Sequence, residues 1–160
     1  MKVRAFLADS VQSVDGKLYV LGAGWNRLTA GGFPAHHDRV GIGVLLTVEA
    51  GEAGEHNLEV SLLNDKDLPV ALFADPSGNE QFALNATFQT QTPDDELGDV
   101  QVPLALNLNG LTFPTPGTYA FSFRVNGEEA ERLPFRVSPA ADGSAGDPSP
   151  PGTSTAPGYL

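Results

Sequence analysis

Apolar and polar residues alternate along most of this 160-residue chain, and no other feature restricts its fold as strongly. Successive side chains of a β-strand point to opposite faces of a sheet, so alternation predicts strands with one buried face. The pattern is clearest in residues 57–62, 82–89, 100–109, 118–125 and 132–137. No stretch repeats its apolar side chains with a helical period over ten residues or more. The sequence therefore predicts an all-β chain.

Four further strands are expected at residues 3–8, 17–28, 39–50 and 68–74, where apolar runs are bounded by turn residues. Glycine and proline number 18 and 13, which indicates many turns and short elements. Pro103 lacks an amide donor, so its strand is expected at a sheet edge or with a bulge. The total is about eight or nine strands, typical of a two-sheet antiparallel β-sandwich. Immunoglobulin-like and jelly-roll topologies both fit this pattern.

The last two predicted strands are joined by Asn126-Gly127, a strong signal for a tight hairpin turn. A two-residue turn would pair Phe121 with Arg132 and put the apolar faces of the two strands out of step. The core stays consistent only if the loop has an odd number of residues or the hairpin contains a bulge. The cross-strand pairs predicted on this basis are Phe121 with Leu133 and Tyr119 with Phe135.

The composition changes sharply at residue 139. From there to residue 160 the chain is almost entirely Pro, Gly, Ser, Thr, Ala and Asp, with too little apolar surface to offset the entropy of ordering. Residues 1–138 are therefore predicted to form one β-sandwich domain, and residues 139–160 a disordered acidic tail. Its end, Gly158-Tyr159-Leu160, carries the only large apolar side chains of the tail and is a candidate partner motif.

The chain is strongly acidic, with a formal net charge of −11. Nucleic acid and anionic membrane surfaces are therefore not expected as partners, because binding them relies on Lys and Arg. The absence of cysteine removes disulfides, thiolate ligands and thiol nucleophiles. No apolar run approaches the roughly 20 residues of a membrane span, and Asp9 interrupts the first one too early for a signal peptide. The expected location is the cytoplasm.

His36-His37-Asp38 is the densest cluster of side chains that could bind a metal ion or transfer protons. Neighbouring side chains of an extended segment point to opposite sides, so His36 and Asp38 could share a metal ion but His37 could not join them. His56 could contribute from a neighbouring turn. Because the cluster follows the sequence GGFP at residues 31–34, the favoured interpretation is a solvated polar loop. No catalytic residue, metal ion or cofactor is predicted.

Two pairs of glycines predict a shallow strip of bare backbone if the strands that carry them are neighbours. A large ring can lie on such a strip, and Trp25, the only tryptophan, or Phe33 is the obvious occupant. The strip is interpreted either as core covered by Trp25 or as a groove for a ligand or partner. The candidate groove comprises Gly22, Gly24, Trp25, Asn26, Arg27, Gly41 and Gly43.

The chain opens with MKVRAFLADSVQSVDGKLYVLGAGWNRL, and its last predicted hairpin reads PGTYAFSFRVNGEEAERLPFRV. Both segments resemble an uncharacterised bacterial family of small β-sandwich proteins of unknown function, common in actinobacteria. The resemblance covers residues 1–137 and implies an opening strand, an acidic-serine turn and a sandwich body. It implies no activity and no ligand, and the tail lies outside it.

These features favour a non-catalytic binding or assembly module that acts through protein–protein contacts. The edge strand of a sandwich can pair with a partner's strand or with a second copy of the chain. Arg124, Arg132 and Arg136 gather on the last hairpin, where they either form surface ion pairs or supply the positive half of a self-complementary interface. A small-ligand or carbohydrate-binding sandwich is the alternative. An enzyme with a site around His36 and Asp38 is the second alternative.

Overall fold

The computed structural model describes residues 1–49, 51–91 and 99–140, and every regular element within these ranges is a β-strand. The strands are β1 (Lys2–Ala8), β2 (Ser10–Val14), β3 (Lys17–Leu21), β4 (Arg27–Ala30), β5 (Ala35–Val48), β6 (Gly54–Leu63), β7 (Pro69–Val70), β8 (Phe73–Ala74), β9 (Glu80–Gln81), β10 (Ala83–Thr90), β11 (Val100–Phe113), β12 (Gly117–Val125) and β13 (Glu128–Pro139). The prediction of an all-β chain is confirmed. In these ranges no helix has the length and apolarity needed to cross a membrane.

The thirteen strands of the described ranges form four sheets, whereas two sheets with about eight or nine strands in total were expected. One sheet has the order β1-β5-β11, and the largest has the order β10-β6-β12-β13-β4 with β7 on β6. The pairs β2-β3 and β8-β9 form two small sheets. The predicted strand at residues 17–28 is divided because Gly22 and Gly24 take positive φ angles of 64° and 96°. The one at residues 68–74 divides into β7 and β8.

One hydrophobic core joins the two larger sheets. The sheet β1-β5-β11 contributes the alternating side chains of β5, of which Val40, Ile42 and Val44 are fully buried. From the largest sheet, Leu58 and Phe121 are fully buried as well. The inward faces of these strands are those predicted by alternation. Part of the predicted tail, Pro139, is the last residue of β13, and residues 141–160 lie outside the described ranges.

The register of the β12–β13 hairpin confirms the predicted pairs. Tyr119 lies opposite Phe135, and Phe121 lies opposite Leu133. All four side chains therefore share one face, and the rings of Phe121 and Phe135 stack with centroids 5.4 Å apart. The parity argument from the sequence thus correctly placed the aromatic residues of this hairpin in the core.

The hairpin achieves this register with a tight turn and a bulge. Asn126 and Gly127 both have positive φ angles, 53° and 85°, as the tight two-residue hairpin turn requires. Beyond the turn, Arg124 pairs with Glu129 and Phe123 with Glu131, which leaves residue 130 without a partner. The extra residue offsets the even count of the turn, so a bulge is the solution that the chain adopts.

β11 is an edge strand of its sheet, as predicted from Pro103. The β2–β3 hairpin lies across the outer face of this sheet and is tied to β11 by side chains. The amide of Asn107 accepts from the N–H of Val11 at 3.1 Å and donates to the Val11 carbonyl at 2.7 Å. The Ser13 hydroxyl donates to the Pro103 carbonyl at 3.2 Å. Asn107 thus supplies the hydrogen bonds that a neighbouring strand would otherwise give to Val11.

Candidate functional site

An open groove with a volume of about 570 Å³ lies where β5 begins and β11 ends. Much of its wall comes from the connection between β6 and β10, which contains the short strands β7, β8 and β9. The lining is mainly apolar, with one polar end. We call it the apolar groove, and the residues that define it are His36, Leu68, Phe73, Phe82, Thr112 and Pro114.

Three large apolar side chains of the groove are open to solvent. Leu68 is 56% exposed, and Phe73 and Phe82 are each 42% exposed. Large apolar side chains gathered on one open surface mark interaction sites more often than isolated ones do. The alternation of residues 82–89 predicts an inward Phe82, and this prediction is wrong. Phe82 lies in the break between β9 and β10, so its side chain does not follow the alternation of β10.

Leu68 is held in the groove wall by a turn that starts at Asn64. The Asn64 side-chain oxygen accepts from the N–H groups of Lys66 at 2.9 Å and Leu68 at 3.0 Å. The Asn64 N–H in turn donates to the Leu68 carbonyl at 2.9 Å. Asp67 closes the turn with a positive φ of 57°, a conformation that Asp tolerates better than most residues. The run of polar residues that predicts a turn here therefore fixes the position of an exposed leucine.

Phe73 is held by a second turn of the same kind, between β8 and β9. One carboxylate oxygen of Asp75 accepts from the N–H groups of Ser77 at 2.8 Å and Asn79 at 2.9 Å. The other accepts from the Asn79 side-chain amide at 2.9 Å. The hydrogen bond from the Asn79 side chain is the main cause that lowers the pKa of Asp75, and backbone N–H groups add to it. The turn joins two strands of two residues each, β8 and β9, in which Phe73 pairs with Gln81.

The polar end of the groove is formed by His36 and Thr112, which face each other across β5 and β11. The Thr112 Oγ1 and His36 Nδ1 atoms are 2.8 Å apart. His36, His37 and Asp38 therefore belong to β5, so the prediction of a loop is wrong, whereas His36 and Asp38 are exposed to solvent as expected. The reason is that β11 extends to Phe113 and pairs with β5 as far back as Ala35.

His56 does not join His36 and Asp38 as a third possible metal ligand. His36 is near the first residue of β5, whereas His56 follows the far end of that strand and bonds to the Glu52 carbonyl at 3.0 Å. His56 also lies 3.1 Å from Thr90 Oγ1. Among the residues that the structure describes, no three His, Cys, Asp or Glu side chains are grouped so that they could hold a metal ion.

The glycines of β5 are covered by β1 and by the chain that follows it. The ring of Phe6 lies over Gly43, its directly paired residue. The backbone of Ser10 crosses Gly41 so closely that an added Cβ would lie 2.9 Å from the Ser10 Cα. Both glycines are buried. The ring that covers this backbone therefore belongs to Phe6. The sequence predicted Trp25 or Phe33 in this position.

The other two glycines lie beside β1 rather than beside β5. Gly24 donates its N–H to the Leu7 carbonyl at 3.1 Å, and the side chain of Asp9 packs against Gly22. Because β1 lies between the two glycine pairs, the four glycines do not form the single strip expected from their spacing.

Trp25 contacts one residue of β5 and one of β13, and Arg27 is the first residue of β4. The Trp25 ring contacts the rings of Phe135 and His37 edge-on, with centroid distances of 6.3 Å in each case. Its Nε1 atom is buried and has no hydrogen-bond partner among the described residues. Arg27 pairs with Arg136 in the parallel ladder between β4 and β13. Trp25 therefore packs at the margin of the core, as partly buried side chains do.

The surroundings of the apolar groove are acidic. Glu80 lines it, and Asp75 and Asp65 lie in the two turns that support it. Asp67 forms an ion pair with Arg132, which raises the pKa of the arginine. Lys66 lies in the first turn as well, so the four acidic and two basic side chains here leave a formal charge of −2.

A second exposed apolar surface lies on the β2–β3 hairpin. Val14, Tyr19 and Leu21 are exposed by 46%, 56% and 71%. These side chains stand on a two-stranded sheet and line neither the apolar groove nor the smaller cavity that shares His36 with it. They supply a matched set of exposed apolar residues against which the groove can be tested.

The fold and the groove define an all-β domain with an exposed apolar surface. Residues 3–138 match a family of unknown function, DUF6941, and the chain belongs to that family. The resemblance of the first and last segments to an uncharacterised family is thereby confirmed. No curated protein matches the chain.

Among solved structures, the chain is similar to Pseudomonas fluorescens alkylpurine DNA glycosylase AlkC bound to DNA containing an abasic site analog. The two are 13% identical with a TM-score of 0.41. The similarity covers 71% of this chain but only 28% of the glycosylase chain. A likeness of this size carries no inference about function.

Proposed function

We propose that this chain is a non-catalytic protein-binding module that takes an apolar side chain of its partner into the apolar groove. The observation that carries the proposal is the presence of three large, exposed apolar side chains, Leu68, Phe73 and Phe82, around one open groove. Burying such side chains against a partner contributes roughly 25 cal/mol for each Å² removed from water. The turns anchored by Asn64 and Asp75 hold the surface in place before the partner arrives, which lowers the entropic cost of binding.

The partner is a protein segment with an aromatic or leucine side chain and with Lys or Arg close to it in sequence. The apolar residue fills the groove, and the basic residues face Glu80, Asp75 and Asp65 at its edge. A net charge of −11 supports a basic protein segment rather than nucleic acid as the binding partner. Electrostatic attraction of this kind increases the rate of association more than it increases the affinity.

We also infer that the two larger sheets form an immunoglobulin-like sandwich. The strand orders β1-β5-β11 and β10-β6-β12-β13-β4 support this topology. They correspond to strands A-B-E in one sheet and C′-C-F-G in the other, with β4 added beside the last strand. The small sheets β2-β3 and β8-β9 are then insertions in the connections between strands.

A tyrosine at the start of β12 supports the same topology. The Tyr119 hydroxyl donates to the Thr115 carbonyl at 2.6 Å, four residues upstream. A tyrosine near the start of strand F that bonds back to the preceding backbone is a hallmark of immunoglobulin-like sandwiches. Sandwiches of this type carry their binding loops at the two ends, and the apolar groove lies at one end.

The proposal is tested by selecting peptides from a random display library on the purified full chain. We expect enriched peptides to share an aromatic residue or leucine with Lys or Arg nearby. Phe82→Ser and Phe73→Ser should each weaken the binding of these peptides about tenfold, as expected for the loss of a central apolar anchor. Tyr19→Ser is the matched control, because it removes an exposed aromatic side chain away from the groove.

Two results would overturn the proposal. One is the absence of any enriched peptide. The other is a set of peptides that bind wild type and Phe82→Ser equally well but lose affinity with Tyr19→Ser. Circular dichroism and urea unfolding establish that each variant is folded before its affinity is compared with that of wild type.

A further inference from the structure

The C-terminal segment of the chain, residues 141–160, follows Ala140, which is hydrogen-bonded to Ala30. The N–H of Ala140 donates to the Ala30 carbonyl at 2.8 Å, which fixes the point where the segment leaves the domain. Ala30 and Gly31 line a second cavity of about 260 Å³. His36 lines both this cavity and the apolar groove. The segment therefore starts beside a cavity that shares His36 with the apolar groove.

The length and composition of this segment suit a tethered ligand for the groove. Twenty residues follow Ala140, and twenty residues can span at most about 70 Å. Its only large apolar side chains are Tyr159 and Leu160, at the end farthest from the attachment point. The remaining residues are Pro, Gly, Ser, Thr, Ala and Asp, which offer little else to bury.

We propose that Tyr159 and Leu160 bind in the apolar groove of their own chain and so compete with the partner. This inference rests on the proposed function, because it assigns a regulator to the same groove. The side chains of Tyr159 and Leu160 are of the kind that Phe73 and Phe82 can contact. The segment contains two Asp residues and no Lys or Arg, so it gains nothing from the acidic edge of the groove. A partner with basic residues therefore displaces it.

Tethering allows such a weak contact to be occupied. A ligand joined to its site by a short linker has an effective concentration of about 1 mM. A ligand whose dissociation constant is about 0.3 mM when it is not tethered is then bound about three-quarters of the time. Removing it should increase the affinity of the groove for a partner peptide about fourfold, because the free fraction rises to one.

The full chain can be tested by distance measurement between two spin labels. Because the chain contains no cysteine, Lys66→Cys at the groove edge and Ala156→Cys in the segment give a clean labelled pair. Electron paramagnetic resonance should show a narrow short-distance component. The component should disappear when Tyr159→Ser and Leu160→Ser are added together, and equally with Phe82→Ser or Phe73→Ser. Tyr19→Ser should leave it unchanged.

Other outcomes overturn the inference and identify the reason. A broad distance distribution that no variant changes shows that the segment does not dock. A short component that is lost when labelled protein is diluted with excess unlabelled protein shows docking into a second copy instead. Selected peptides that bind wild type and the Tyr159→Ser/Leu160→Ser variant equally well reject the segment but leave the proposed function standing. Failure of any peptide to bind either protein rejects the proposed function itself.

Discussion

The ring of Phe6 on β1 lies on the outer face of Gly43, the residue directly opposite it on β5. An aromatic side chain placed over a glycine in the neighbouring strand covers backbone that would otherwise be exposed. Two residues earlier on β5, Gly41 allows the backbone of Ser10 to cross the sheet. The two glycines therefore allow β1 to turn over β5 and start the β2–β3 hairpin.

Alanine substitutions at these glycines should lower stability in a fixed order. Gly41→Ala places a methyl group against the Ser10 backbone, which cannot rotate away, so we expect a loss of about 2–3 kcal/mol. Gly43→Ala forces only the ring of Phe6 to move and should cost about 1–2 kcal/mol. Urea unfolding followed by the fluorescence of Trp25 measures both values.

Gly31→Ala is the control for these two variants, because an added Cβ at that position has no neighbour within 4 Å. It should leave the free energy of unfolding within about 0.5 kcal/mol of wild type. The Phe6→Leu/Gly43→Ala double variant should be more stable than the sum of its single variants predicts. Equal losses at all three glycines would show that close packing against Ser10 and Phe6 does not determine the cost.

The bulge in the β12–β13 hairpin leads to a prediction about deletions. Removing Ala130 eliminates the unpaired residue and leaves every other cross-strand pair intact, so this variant should fold with a loss of no more than about 1 kcal/mol. Removing Ala130 and Glu131 together moves Leu133 to the outer face and should prevent folding. Circular dichroism distinguishes the two outcomes. A single deletion that fails to fold would show that the bulge has a role beyond register.

The strands and their buried faces could be predicted from the sequence because alternation reflects which side of a sheet meets the core. β5, β6 and β12 show this, as does the pairing of Phe121 with Leu133, which parity alone determines. Strand boundaries were less predictable because they depend on partners. The start of β5 extends through His36 only because β11 is long enough to pair with it.

The apolar groove could not be predicted from the sequence, because chain segments far apart in sequence form it. Leu68 and Phe73 lie in a stretch too short for a period to be recognised, and Phe82 begins an alternating run that its side chain does not follow. The turn signals at Asn64 and Asp75 were visible in the sequence. They indicate where the chain reverses, and they do not show which side chains are exposed as a result.

Loss of the Tyr119 hydroxyl should weaken the connection between β11 and β12. The hydroxyl donates to the Thr115 carbonyl, and the rest of the side chain is buried, so Tyr119→Phe should cost about 1–2 kcal/mol. The urea midpoint should fall with no change in the slope of the transition. Tyr19→Phe removes an exposed hydroxyl and serves as control. A Tyr119→Phe variant as stable as wild type would remove the main energetic role assigned to this bond.

Protonation of Asp75 at acidic pH should weaken the turn that holds Phe73 in the groove. Its pKa is lowered below the ordinary value of 3.8, so its contribution to the turn is complete above that value and is lost as the pH falls through the lower pKa of the folded state. The amide resonances of Ser77 and Asn79 should therefore be constant between about pH 5 and 8 and should titrate below 3.8.

Asp75→Asn should abolish this titration yet keep an acceptor oxygen for the turn. Asp75→Ala should remove the acceptor, disorder the β8–β9 hairpin and weaken the binding of groove-selected peptides about fivefold, equivalent to one lost hydrogen bond. Equal peptide affinities for the two variants would show that the turn does not position Phe73.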